Sequence, residues 1–528
     1  MKSRLPLAFV SALALAAFAA PAAPAATVGP AEQITDFSPA RTSDTNSGKF
    51  HAVAVNPQTG MQIALYYGRD ASSQAYIGTQ RFDAQGPVGA ENVIATAATT
   101  GLDNYYSYAI AYNPATGGWM AGLIDNSDYA ASMIGQKLNA DGSASGAPFV
   151  VGDGEPGYAG MKVVWNSEEQ KFLFSWSSYY EPNMEGRFVS GNGTVQGSEL
   201  TLMTFDDPGD YCAMDSAYST KSNTFLQLQG AECTSFFDST DPPVTQLVSG
   251  ASAAPIGSVN LLGPLESGSD NYSGGVAYNP KVNQFGVFWN YEPDTGPVRL
   301  YFQRINAATG AEVGAAIEIT PPEGLISNGY RVRVSSSPIS GNYYVSGDFD
   351  QGTSTLPAGR YSFQVTSAGA TVADSLENIT DGTEDSWRPQ NLYNPKTRQF
   401  VTTFNASAVG GGDYNLYTNY SDPEPGPSGK PTLKKKGTAG ATSLKVKVGC
   451  ASAGSCRIKL SGKLVGGKGK VKGVTSKGNG KRTVKLAYTD ELISELKRNG
   501  GGKIRITAKE VGGGKRTITV AVPSSVTG

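Results

Sequence analysis

One turn phrase recurs seven times along this chain, and no other feature constrains its fold as strongly. It reads Asn56-Pro57-Gln58-Thr59-Gly60, then Asn113-Pro114-Ala115-Thr116-Gly117, Asn166-Ser167-Glu168-Glu169-Gln170 and Ser219-Thr220-Lys221-Ser222-Asn223. The last three copies are Asn279-Pro280-Lys281-Val282-Asn283, Ser337-Pro338-Ile339-Ser340-Gly341 and Asn394-Pro395-Lys396-Thr397-Arg398. The steps between first positions are 57, 53, 53, 60, 58 and 57 residues. Asn or Ser followed by Pro and closed by Gly or Asn is turn chemistry. A period of this size marks a unit that cannot bury its own apolar face and must stack on copies of itself.

Each copy follows one plan. An alternating strand comes after the turn, as in Phe172–Trp176 and Phe285–Trp289, with the period of two that puts side chains on both faces of a sheet. A variable loop leads to a third strand with its own hairpin turn, Ile134-Gly135-Gln136-Lys137-Leu138 and then Asp141-Gly142. A short fourth strand ends the unit, as in Glu91–Ile94 or Ala316–Ile319. The 65 glycines and 30 prolines in 528 residues, with 10% aromatics, fit turn-rich β-structure rather than a helical bundle. Four antiparallel strands repeated seven times predict an all-β chain, a seven-bladed β-propeller over 31–422. The seventh copy stops near Ser421 one strand short. Ala31–Phe37 matches the fourth-strand phrases, so the N-terminal segment is expected to close the last blade and leave no bare edge there.

In the phrases Tyr112-Asn113-Pro114, Tyr278-Asn279-Pro280, Ile134-Gly135-Gln136-Lys137-Leu138 and Asp141-Gly142, the chain resembles secreted bacterial seven-bladed propellers. That resemblance implies a fold and leaves the activity open, because propellers host binding proteins, scaffolds and many enzymes. The Asp-box of sialidases and the Gly-His…Trp-Asp phrase of intracellular scaffold propellers are both absent from the sequence.

Residues 1–26 read as an export signal: Lys2 and Arg4, an apolar run from Leu5 to Ala20, then small-residue cleavage options at Ala20-Pro21-Ala22 and Ala23-Pro24-Ala25. No later segment has the length of a membrane span. Cys212 with Cys233, and Cys450 with Cys456, are locally spaced pairs, and in an exported chain they read as two disulfides. A Pro/Gly linker, 423–431, precedes a segment of opposite charge. From Lys430 onward there are 23 Lys+Arg against 4 Asp+Glu, whereas the rest of the chain holds 20 against 41. In 432–523, Lys and Arg alternate with Leu, Val and Ile, which predicts a small C-terminal β-sandwich with an apolar core and a cationic outer face. It resembles the basic Ig-like modules that end some exported bacterial proteins. One helix is expected, with Thr489 as cap, Asp490 and Glu491 in its first turn and Gly500 as its stop. Its expected partner is an anionic envelope or matrix polymer. Nucleic acid is not expected, since Tyr488 is the only aromatic there and bases would have no stacking platform.

Chemistry is narrowed by what the chain lacks. It has a single histidine, His51, and no Cys-x-x-Cys, so His-based catalysis, His-rich metal cages and cysteine-ligated zinc or iron–sulfur sites are set aside. No cofactor is expected. Asp125–Asp128 and Asp348–Asp350 offer the oxygen-only ligands that calcium takes, and neither segment completes a loop motif. An aromatic recurs seven or eight residues before the turn: Tyr106, Tyr158, Tyr211, Tyr272, Tyr330 and Trp387. Asp103, Asp270 and Arg388 stand near it. Two roles are open to this set, a packing wedge between blades or a rim site that stacks and hydrogen-bonds a glycan or a protein ligand. Glu181, Glu232 and Glu292 on the variable loops are the candidates for a carboxylate pair that would hydrolyse a glycosidic bond. The expectation is therefore an exported non-enzymatic binding protein. The alternatives are a carbohydrate-active hydrolase or lyase and a protein-binding scaffold.

Overall fold

The computed structural model describes residues 31–35, 51–70, 72, 74–96, 108–125, 132–152, 156–178, 183–204, 213–230, 243–263, 270–293, 295–322, 325–350, 360–380, 383–408, 414–424, 432–435, 439–440, 442–449, 455–479, 481–510 and 515–523. The chain divides into two compact units, Met1–Asp422 and Pro423–Gly528. Among the described residues, the first unit holds seven antiparallel sheets. Six have four strands; the first, which begins with His51–Val55, has five because Gly86–Pro87 and Asn92–Thr96 both pair with Ala75–Asp83. The other six sheets begin with Tyr108–Asn113, Pro156–Asn166, Ala213–Ser219, Asp270–Asn279, Ile326–Ser336 and Thr383–Asn394. Each of these first strands lies against the first strand of the next sheet, and Thr383–Asn394 returns to His51–Val55. Repeated four-stranded sheets whose innermost strands follow one another in a ring make a β-propeller.

Burial explains why no sheet stands alone. Ile63, Leu65 and Ile77 of the first sheet share one apolar cluster with Ile110, Trp119 and Leu123 of the second. Clusters of the same kind join the second to the third sheet, the third to the fourth, the fourth to the fifth and the fifth to the sixth. Another joins Leu392, Val401 and Leu416 of the seventh to Ala64, Tyr66 and Phe82 of the first. Its members include Ile34, 2% exposed. The segment carrying Ile34 forms the outer strand of the seventh sheet: Glu32 and Gln33 pair with Thr418 and Tyr417. The Ile34 amide donates to Leu416 O at 2.7 Å, and Thr35 Oγ1 accepts from the Leu416 amide at 3.0 Å.

The turn phrase is a two-sided clip. The side-chain oxygen of its first residue caps the turn, accepting from backbone amides two and three residues on, as at Asn166 (2.9 and 3.0 Å), Asn394 (3.1 and 3.3 Å) and Ser337 (3.0 and 3.1 Å). The amide nitrogen of the Asn copies then reaches the next sheet. Asn113 Nδ2 donates to Gly191 O, Asn166 to Gly250 O and Asn279 to Gly341 O, all within 2.7–2.9 Å. Asn394 donates to Gly60 O at 2.9 Å, from the last turn to the first. Gly60 and Gly341 have φ of +84° and +78°, which lets the turn carbonyl face its neighbour without strain. The Gln of the third-strand phrase is another internal tie. Gln136 Nε2 donates to Lys137 O (2.8 Å) and Gly146 O (3.2 Å), and Gln80, Gln246 and Gln303 make the equivalent pair of bonds. These recurring polar residues are satisfied inside the protein.

The second unit has a three-stranded sheet, Thr432–Lys435, Ser443–Gly449 and Lys481–Ala487, and a four-stranded sheet ordered Lys470–Asn479, Ser455–Leu464, Gly502–Glu510 and Lys515–Val522. Val446, Val448 and Leu486 of the first and Ile458, Leu460, Ile504, Ile506 and Val520 of the second share one buried cluster. Leu492 and Leu496 of the helix Asp490–Arg498 join it. Thr489 Oγ1 caps that helix by accepting from the Leu492 amide at 3.3 Å. Its end is closed by Gly500 N to Lys497 O (3.2 Å) and Gly501 N to Leu496 O (2.8 Å), with Gly500 at φ +59°.

Candidate functional site

The repeated aromatics fall where the first strands are irregular. The pairing of first and second strands shifts between Pro156 and Met161 around Tyr158, between Tyr272 and Gly275, and between Ser327 and Val332 around Tyr330. In the seventh sheet it shifts on both sides of Trp387. Four copies therefore break register at the same place in the repeat, as a one-residue bulge after Tyr272 and on each side of Trp387 and as a wider break around Tyr158 and Tyr330. A bulge adds a residue to one strand and re-aims the side chains beside it. The sequence carries a trace of this in Gly160, Gly274 and Pro389, residues that a regular central strand disfavours. A side chain at Gly274 would meet Phe288 O at 2.2 Å, and Gly160 has φ +114°.

The candidates divide as follows. Tyr106, Asp103, Tyr211, Glu181, Glu232, Cys212, Cys233 and Cys450 lie outside the described residues, as does 1–26. Tyr158, Asp270, Tyr272, Tyr330, Trp387, Arg388 and Cys456 lie on strands, and their side chains are outside the described set. The register brings two candidates together: Asp270 and Glu292 are direct cross-strand partners at the end of the fifth sheet. Asp270 also begins the bulged strand, two residues before Tyr272. Of the two calcium segments, Asp128 lies outside the described residues, as do the side chains of Asp125, Asp348 and Asp350. Among the described residues, no three His, Cys, Asp or Glu gather as a metal would require. His51 is 6% exposed, with Nε2 3.0 Å from Thr403 Oγ1, which ties the first sheet to the seventh.

Asp215 and Glu377 are buried carboxylates among the described residues that no sequence motif marks. Asp215 sits on the first strand of the fourth sheet and meets Lys162 of the third at 2.9 Å. Its other oxygen accepts from the Val276 amide of the fifth sheet at 2.9 Å, so one side chain spans three successive sheets. Glu377, 3% exposed, accepts from Tyr344 Oη at 2.5 Å in the sixth sheet, and Ser362 Oγ donates to the same Tyr344 oxygen. Burial pushes the Glu377 carboxyl up to about 7, and the charge of Asp422 adds to the rise against the pull of the Tyr344 and Ser362 hydrogen bonds. The Tyr344 ring stacks on Phe400 of the seventh sheet at 4.7 Å.

In the second unit the charged side chains sit in register. Lys463 faces Lys470 on one side and Arg505 on the other. Lys459 faces Lys509, and Lys509 faces Lys515. On the three-stranded sheet, Lys434 faces Lys447 and Lys445 faces Lys485. All of these cations are exposed, while Ile458, Leu460, Ile504, Ile506 and Ala508 between them point into the core. Like charges placed directly opposite one another oppose sheet formation.

No protein-family model matches the chain, and no curated protein sequence matches it. Among solved structures it is similar to Kuenenia stuttgartiensis hydrazine synthase, with TM-score 0.41 and 10% identity over 72% of this chain and 98% of that one. It is also similar to the Dos1 propeller, with TM-score 0.40 and 9% identity over 73% and 95%. For the β-propeller domain of the Trilobed protease from Pyrococcus furiosus the TM-score is 0.39, with 7% identity over 75% and 95%. Among the described residues, no helix is long and apolar enough to cross a membrane.

Proposed function

We propose that this chain is an exported, non-enzymatic binding protein. Its first unit is a seven-bladed propeller closed by the N-terminal strand, with a ligand rim at the bulged ends of the first strands. Its second unit is a basic Ig-like sandwich that contacts an anionic polymer of the cell envelope or matrix. The observation that carries the reading is the set of like-charged cross-strand pairs, Lys463 with Arg505, Lys459 with Lys509 and Lys509 with Lys515. Like-charged pairs repeated on one sheet face oppose the sheet unless negative charge comes from outside, which supports a polyanion contact. Export rests on the leader-like residues 1–26 and on the paired cysteines. The rim site rests on recurrence of an aromatic at a break in register, and stacking on such rings suits a sugar.

The test is retention of the full-length protein on a polyanionic matrix. Retention at low salt that weakens steeply as salt rises is expected, because each neutralised contact releases a counterion. Free passage at low salt would end the reading. A carbohydrate-active hydrolase stays as the second reading on one observation, the Asp270–Glu292 register pair. It predicts turnover on a glycan panel that Glu292→Gln abolishes; binding without turnover favours the first reading.

A further inference from the structure

Among the described residues, cations gather at one end of the four-stranded sheet in the second unit. The hairpin that joins Ser455–Leu464 to Lys470–Asn479 borders, with Arg505 of the neighbouring strand, an open surface cavity of about 550 Å³. Its lining includes Lys463, Lys468, Arg505, Val465, Gly466 and Gly467. Gly466 (φ +77°) and Gly469 (φ +108°) shape the turn, and a side chain at Gly469 would meet Leu492 Cα of the helix at 2.6 Å. That close approach seats the hairpin on the helix. Glu495 lies beside this turn, its Oε2 3.6 Å from where a side chain at Gly467 would begin, and it is engaged by the Arg498 guanidinium and by Asn499 Nδ2 at 3.4 Å. Three cations thus line one hollow, and the nearby Glu495 carboxylate is paired with Arg498.

The same face continues away from the cavity in rows. Lys470, Lys463 and Arg505 form the first row of charge. A hydroxyl row follows, Ser461, Thr507 and Thr517, in which Thr507 Oγ1 and Thr517 Oγ1 are 3.0 Å apart. Lys459, Lys509 and Lys515 form the second row of charge. Four residues along a strand separate the two charged rows, ~13 Å. The described side chains of this face include no acid and no aromatic, and Tyr488, the unit's only aromatic, is 3% exposed in the core.

We infer that the cavity is an anchoring site for one oxyanion group of an acidic glycan polymer, whose chain then crosses the hydroxyl row to the second row of cations. This rests on the reading of the basic unit as a polyanion contact and adds to it where the contact is anchored and what it takes. Arg505 supplies the planar fork that orients a phosphate, sulfate or carboxylate, and the lysines act as point charges beside it. The hydroxyl row suits sugar hydroxyls, and the lack of exposed rings removes the stacking that single-stranded nucleic acid uses.

The experiment uses the full chain and two triple variants of equal charge change. One is Lys463→Gln, Lys468→Gln, Arg505→Gln at the cavity. The other is Lys434→Gln, Lys445→Gln, Lys447→Gln on the other sheet. Binding to heparin, polygalacturonate and poly(glycerol phosphate) is measured against salt, with single-stranded DNA as competitor. The cavity triple is expected to weaken binding to at least one glycan-type polymer by about tenfold or more and the control triple by about threefold or less. The polymer ranked highest then names the oxyanion. Both triples should keep or raise the unfolding temperature, because each removes repulsion; a fall in the cavity triple's unfolding temperature below the control's would overturn the view of these cations as unneeded by the fold. Equal losses in the two triples would overturn the anchoring site and leave general polyanion binding standing. DNA competing as well as the glycans at equal charge would overturn the glycan assignment. A wild-type chain that binds none of the polymers at low salt would instead bring down the broader reading.

Discussion

The two units use repeated polar residues in opposite ways. In the propeller, Asn113, Asn166, Asn279 and Asn394 are at most 1% exposed, and each side chain donates to a carbonyl of the neighbouring sheet. In the basic unit, the repeated lysines are exposed and face other cations across the strands. Buried polarity that is fully partnered specifies how sheets meet. Surface charge that opposes itself works against the sheet that carries it. The contrast separates residues that hold the ring from residues whose charge the fold does not use, and it can be broken at either end.

The largest effect is expected at Asp215, which joins three sheets. Asp215→Ala leaves Lys162 without its anion and the Val276 amide without its acceptor. Removing one partner of a mostly buried ion pair costs about 3–5 kcal/mol. Lys162 keeps some access to water, which places the loss toward the lower end. Denaturant unfolding of the variant checks it, and a midpoint like that of the wild type would show that the fourth sheet needs no such tie.

Glu377 tests the same principle through pH. Its ordinary value is 4.5 and in the folded protein it stands at about 7. Below pH 4.5 both the folded and the unfolded chain hold this proton, and the group costs nothing. Between 4.5 and 7 the unfolded chain releases it first, so stability falls as pH rises. Above 7 the full penalty remains, roughly 3 kcal/mol. Glu377→Gln keeps an acceptor for Tyr344 and removes the charge. The variant should match the wild type near pH 4.5 and exceed it by that amount at pH 8. Parallel stability profiles for the two proteins would exclude Glu377 as the linked group.

A smaller loss is expected at the turn that closes the ring. Asn394→Ala strips the capping oxygen from the Lys396 and Thr397 amides and the donor from Gly60 O. The cost is about 1–3 kcal/mol, read as a lower unfolding temperature. The sequence already points to this residue, because the phrase around it recurs and turn chemistry is local. The N-terminal closing segment is legible for the same reason: Ala31–Phe37 repeats a strand phrase, and Glu32 does pair with Thr418. The helix caps Thr489 and Gly500 are equally local signals. Register is another matter. Alternation tells which face Lys459, Lys463 and Lys509 share, but not that Lys463 meets Arg505 or that Asp270 meets Glu292. Those pairings depend on hairpin lengths and bulges summed over two strands. Asp215 is illegible because its partners, Lys162 and the Val276 amide, belong to the sheets before and after it, and no local signal joins them.

The smallest effect has the opposite sign. Lys509 stands between Lys459 and Lys515. Lys509→Glu turns two repulsive cross-strand pairs into two attractive ones, and each such pair is worth about 0.2–1 kcal/mol. The variant should therefore unfold at a slightly higher temperature than the wild type, with the gain fading as salt screens the exposed charges. Its affinity for a polyanion should fall at the same time, since one contact is lost and a repulsive charge enters the row. Loss of stability would mean that the row is held by contacts other than charge. A gain in stability with binding unchanged would mean that the second row is a solvated surface and that no chain crosses it. Only the joint result, a firmer fold and a weaker grip, is what a face kept against its own repulsion for an outside partner has to give.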